Sequence, residues 1–154
     1  MSRTLPFKQS PKTANAQFSK AQLLPIPRAI ASELALQAHL SLQALRAGAT
    51  EIEPAQRVTE AMVLARFLSE AGHGHFTADA LACADRVMAG VFDAGHVSGV
   101  WILPEDEFET FAAIVSLYDY QLRRASLGAL TVASERLDRF KAGEPCQLAQ
   151  RRRA

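Results

Sequence analysis

The stretch Pro54–Ala71, PAQRVTEAMVLARFLSEA, followed by Gly72, constrains the fold more than any other part of the chain. Wound as a helix, Val58, Ala61, Met62, Leu64, Ala65, Leu68 and Ala71 cover a broad arc, and Val63 and Phe67 extend it nearly to the far side. Thr59, Arg66 and Glu70 share one narrow polar stripe, with Arg66 and Glu70 spaced for an i,i+4 charge pair. A helix that is apolar almost all round is one that other helices surround. Arg57, Glu60, Arg66 and Glu70 argue against a bilayer span. The expectation is a central buried helix over about 54–71, with Pro54 in its first turn and Gly72 just past its end.

The other segments fit a compact all-α bundle of five helices. The 154 residues suit one domain, and the Ala- and Leu-rich composition, 49% hydrophobic, supplies a core and favours helix. Helix one is expected over Arg28–Ala47, stopping at Gly48, with Ile30, Ala31, Leu34, Ala38, Leu42 and Leu45 inward. Thr77 suits the N-cap of helix three, which is expected to bury Leu81, Ala84, Val87, Met88, Val91 and Phe92 and to end at Gly95. His96–Leu103 reads as a connection anchored by Trp101. Helix four starts at Pro104, with acids in its first turns and Arg123 and Arg124 in its last, and stripes Phe108, Phe111, Ile114, Val115, Tyr118 and Leu122. Helix five, about Ala129–Ala142, carries Leu130, Ala133, Leu137 and Phe140. Three regions result: a disordered basic arm over 1–23, the bundle over 24–143, and a basic tail over 144–154, with Leu24 and Ile26 tacking the arm to the body.

Charge is distributed unevenly. Residues 1–32 hold Arg3, Lys8, Lys12, Lys20 and Arg28 and no acid, and Arg151, Arg152 and Arg153 stand near the other end. All 16 acids fall between residues 33 and 150. Basic ends on an acidic body suit contact with nucleic acid, by neutralising phosphates, or serve as solubilising tails. The pair of helices meeting at Ala125–Gly128 is the nearest approach to a helix-turn-helix. Its second helix mixes Arg136, Arg139 and Lys141 with Glu135 and Asp138.

Groups that could carry chemistry are sparse. His73 and His75 form a His-x-His in a loop, with Asp79, Cys83 and His96 as possible neighbours, which makes metal binding an alternative function, although the usual paired ligand spacings are absent. Cys83 and Cys146 belong to no Cys-x-x-Cys pair and read as free thiols. There is no nucleophile elbow, phosphate-cradling loop or dinucleotide fingerprint, His39 reads as a boundary histidine, and no cofactor is expected. No apolar run approaches a membrane span and the first residues lack a signal-peptide core, so a cytoplasmic, membrane-free protein is expected.

Leu36 and Leu40 lie on a second ridge of helix one, either packed against another helix, the favoured expectation, or facing a partner. With Trp101 and with Leu117 on the back of helix four, they are the candidate interface for a protein partner or a homodimer.

Four short runs carry a family resemblance: His39–Gly48 (HLSLQALRAG), Phe67–Gly72 (FLSEAG), Tyr118–Leu122 (YDYQL) and Arg136–Phe140 (RLDRF). In these the chain resembles small bacterial helical proteins often labelled Fis-family transcriptional regulators. The resemblance implies a bacterial regulatory or accessory protein with no catalytic residues to carry over. The expected function is therefore non-catalytic, acting by protein–protein binding through helical surfaces, with DNA association through the basic termini as the alternative.

Overall fold

The structure, a computed structural model, describes residues 20–143. The expected tail, and all but the last residues of the expected arm, lie outside the described residues. Among the described residues, 20–22 are helical and five α-helices follow in order: α1 Arg28–Ala47, α2 Glu53–Glu70, α3 Ala78–Ser98, α4 Phe108–Arg124 and α5 Leu127–Lys141, with one 3-10 turn, Glu105–Glu107, leading into α4. The fold is all-α. Among the described residues, strand-like pairing is limited to two isolated antiparallel bridges, Pro25 with Ser126 and Ala49 with Trp101.

Helix α2 is the hub: it packs against α1, α3, α4 and α5. Its pattern explains this, since only Glu53, Gln56 and Glu70 are exposed along its length. The polar stripe is drier than its residue types suggest. Thr59 and Arg66 are half-buried, the Thr59 hydroxyl donates to the Ala55 carbonyl at 2.8 Å, and Arg66 Nε donates to Glu70 at 3.3 Å. Arg66 shares a groove with Gly74, Phe76 and Leu81 at the start of α3, and α5 sends Arg136 to Glu70 and Lys141 to Glu60. Beyond the helix, the His73 N–H donates to the Leu68 carbonyl and the Gly72 N–H to that of Ser69, both at 3.0 Å. Gly72, at φ 98°, makes this reversal possible.

Helices α1 and α4 run antiparallel: Arg46, near the end of α1, bonds Glu105 just before α4, and His39 lies 3.6 Å from Asp119. Helix α1 is turned slightly from the expected orientation. Ala31, Ala35 and Ala38 are buried and Ile30 is exposed. Small side chains on the inner face let α2 and α4 approach closely. Ile26, 6% exposed, tacks the incoming chain to the core, while Leu24 stays exposed and is held by its carbonyl, which accepts from the Leu127 N–H at 2.7 Å.

Helix α3 is capped by Thr77, whose hydroxyl accepts from the Ala80 N–H at 3.2 Å. It does not stop at Gly95 but continues to Ser98 and ends on Gly99 at φ 74°. Gly95 serves packing: it is buried, with the Trp101 indole laid against it. The segment carrying Trp101 is tied to the end of α1. Ala49 and Trp101 exchange two N–H···O bonds at 2.8 Å, and the Leu103 N–H donates to the Leu45 carbonyl at 2.9 Å. The full expected stripe of α4 is buried. Helix α5 begins two residues early because Ser126 caps it, its hydroxyl accepting from the Ala129 N–H at 3.1 Å. Phe140 is exposed rather than in the core, although it follows the buried Ala133 by seven residues on nearly the same side; it stands in the last turn of α5.

Candidate interaction surface

The outer face of α1 is built by what its inner face buries. With Ala31, Ala35, Ala38, Leu42 and Leu45 turned inward, the helical repeat turns Ala29, Ser32, Leu36, Leu40, Gln43 and Ala47 outward. Leu36 is 57% exposed and Leu40 60% exposed. The expected packing of this ridge against another helix does not occur, because α2 and α4 occupy the two flanks of the inner side. Along the whole stripe the single charge is Glu33. On one flank Arg57 binds Gln37 at 2.8 Å and Glu53 at 3.0 Å. On the other flank stand His39, Asp119 and Arg123, the last donating to Asp119 at 2.8 Å.

The two ends of this face differ in charge. At the end of α1, Glu53 pairs with Arg57 and Glu105 with Arg46, with Glu109 close to Arg46 and Glu51 just before α2; Asp106 and Glu107 lie at the same end but on the α3 side, in a groove with Arg86. The Arg46 guanidinium holds the Glu105 carboxyl below its ordinary range, and Arg46 also lies 4.0 Å above the Phe108 ring. The opposite end, where α1 starts and α4 finishes, carries Lys20, Arg28, Arg123 and Arg124. Both helix ends suit the macrodipoles of α4.

The remaining candidates separate. Trp101 and Leu117 are half-buried and engaged inside the chain, Trp101 on Gly95 and Leu117 over Gly74. They do not join Leu36 and Leu40 in one surface. His73 is half-buried and its carbonyl accepts from Gln121 at 2.7 Å, while His75 is exposed. Among the described residues no group of three or more His, Cys, Asp and Glu side chains converges to hold a metal. Cys83 is a half-buried free thiol. His96 stands edge-on to Trp101, centroids 6.0 Å apart. Of the candidate nucleic-acid contacts, Lys20 and Arg28 are exposed, and Arg3, Lys8, Lys12, Arg151, Arg152 and Arg153 lie outside the described residues. Two basic residues of the supposed reading helix are paired with acids of α2: Arg136 bonds Glu70 at 2.8 Å and stacks on Phe67, and Lys141, itself exposed, pairs with Glu60.

Sequence reasoning missed Gln121, which is fully buried. Its amide nitrogen faces the Ala65 carbonyl at 3.0 Å, the Ser69 hydroxyl at 2.9 Å and the His73 carbonyl. The signal was present, since residue 121 falls on the Tyr118–Leu122 side of α4. Also unanticipated is a shallow apolar groove of about 470 Å³ beside α5, lined by Leu23, Phe67, Ala71, Val132, Ala133 and Arg136 among others. No described helix is long and apolar enough to cross a membrane. No protein-family model, curated protein or solved structure matches the chain.

Proposed function

We propose that this chain is a non-catalytic regulatory or accessory protein that binds protein partners through the outer face of α1. The observation that carries the reading is the pair Leu36 and Leu40, one helical turn apart and both more than half exposed, at 57% and 60%. Singly exposed leucines are ordinary. Two in register on an almost uncharged stripe of a 20-residue helix form a continuous apolar strip, the form in which helices dock on one another. The test is site-specific photocrosslinking in cells of the source organism. A crosslinker at Leu36 is expected to yield a discrete protein adduct, and the same group at Glu135 on α5 is not. No adduct from any position along the stripe overturns the reading.

DNA association through the basic ends is a second reading, supported by the continuation of the acid-free residues 1–32 into the end of the bundle that holds Arg123 and Arg124. It predicts DNA retention that falls steeply with salt, and retention unchanged by truncation to residues 24–146 refutes it.

A further inference from the structure

Resting on that binding role for the α1 face, we infer that its occupant is α1 of a second copy of this chain, docked antiparallel about a twofold axis level with Ala38. Three observations converge on this partner. First, the exposed stripe is nearly symmetric about its own midpoint. Leu36 and Leu40 stand two residues either side of residue 38, Glu33 and Gln43 five, and Ala29 and Ala47 nine. A twofold interface is self-complementary, so a patch docking on itself must pair each residue with the one at the mirrored distance. Here that rule sets leucine beside leucine at the centre and alanine beside alanine at the edges. Glu33, the one charge of the stripe, comes level with the partner's Gln43, a side chain that donates hydrogen bonds.

Second, the charge at the two ends selects the antiparallel direction. A parallel pair would set the acidic cluster around Glu51 and Glu105 beside its own copy, and Arg28 and Arg124 beside theirs. An antiparallel pair sets each acidic end beside a basic end. Complementary potential of this kind fixes register and suppresses the wrong arrangement. Third, the flanking side chains are already engaged within the chain, Arg57 with Glu53 and Gln37, Arg123 with Asp119, and Arg46 with Glu105. They border the apolar strip without adding a further unpaired charge to the seam, where the Glu33 carboxylate accepts from Gln37 of its own chain at 3.3 Å.

The size of the strip sets the affinity class. A 20-residue helix is about 30 Å long and about 10 Å wide. One such face falls short of the roughly 800 Å² per partner of a permanent interface. The pair is a reversible dimer, populated as concentration rises.

The test uses the full chain. Sedimentation equilibrium from about 1 µM to about 1 mM is expected to show mass rising from one chain to two. Leu36→Glu, at an exposed position, is expected to keep its helical circular dichroism and to weaken the dimer by at least about tenfold. Direction is read by disulfide trapping with both native cysteines replaced by alanine. Mixed Leu36→Cys and Leu40→Cys chains are expected to oxidise mainly to the 36–40 heterodimer. A chain that stays monomeric up to about 1 mM overturns the inference, and so does a dimer untouched by Leu36→Glu. Preferential 36–36 trapping overturns it as well, because that is the parallel pair. A monomer that nevertheless gives a discrete crosslinked adduct with a different protein at Leu36 would sink the self-pairing alone and leave the binding role standing.

Discussion

The Trp101 indole lies so close to the backbone of Gly95 that a Cβ there would stand 2.3 Å from its Cδ1 and Nε1. This contact pins the 100–103 segment between the end of α3 and the end of α1, and it makes Gly95 irreplaceable for a packing reason. Helix propensity alone would make Gly95→Ala stabilising by up to about 1 kcal/mol. Displacing a half-buried indole should reverse the sign and cost about 1–3 kcal/mol. Gly90, five residues earlier on the exposed side of the same helix, has nothing within 4 Å of a built Cβ. Gly90→Ala should therefore stabilise by about 0.5–1 kcal/mol. Urea denaturation of the two variants checks the opposite signs, and equal signs would refute the packing account.

Gln121 joins α4 to the end of α2 through a single amide. Its nitrogen has two hydrogens for three acceptors, on Ala65, Ser69 and His73. Its Oε1 is buried without a partner. That asymmetry predicts the order of two variants. Gln121→Leu removes the donor and frees the protein of the orphan oxygen, so the loss should be moderate, about 1–3 kcal/mol. Gln121→Glu at neutral pH points a carboxylate at three oxygens in a buried site and should be the worse of the two. Melting temperatures at pH 7 decide it: a Glu variant as stable as the Leu variant would mean that water reaches this site.

The hub role of α2 was legible because its apolar residues, from Val58 to Leu68, are spread nearly all round the helix, so no rotation of it could turn them all to one side. The end of α3 was not legible. Gly95 followed by His96 reads as a stop, and the reason for the glycine, an indole arriving from residue 101, exists only in the folded chain. Gln121 sits on the buried stripe of α4, but its polarity masked it, since the acceptors it answers belong to α2 and the loop that follows. Arg136 and Lys141 looked available for a phosphate backbone because their partners, Glu70 and Glu60, lie far earlier in sequence. The ridge of Leu36 and Leu40 was visible from periodicity. Whether anything covers it depends on which helices neighbour α1, and periodicity carries no information on that.

Arg136 illustrates how far its new neighbours restrict it. The guanidinium stacks 3.9 Å above the Phe67 ring while bonding Glu70 at 2.8 Å, both side chains of the ion pair being about a quarter to a third exposed. A lysine would keep the charge but lose the planar stacking. Arg136→Lys should cost about 0.5–1 kcal/mol, nearly as much as Arg136→Ala. A double-mutant cycle with Glu70→Ala separates the two parts, since the stacking contribution survives removal of Glu70. If Arg136→Lys is neutral, the contact with Phe67 contributes nothing.

Tyr118 predicts how the fold fails in alkali. Its phenol is pushed up to about 12, first by burial and then by the nearby Glu60 charge. In the unfolded chain the phenol loses its proton near its ordinary value, about 10. Below pH 10 both states hold the proton and the group contributes no pH dependence. Between about pH 10 and 12 the unfolded state releases it while the native state keeps it, so unfolding is progressively favoured. A two-unit difference corresponds to about 2.7 kcal/mol lost across that window. Tyr118→Phe has no proton to release and should flatten the decline. The check is the urea midpoint of both chains at pH 8, 10 and 11. The wild-type midpoint should fall more steeply above pH 10 than that of the variant, and parallel curves would mean that another group governs alkaline unfolding.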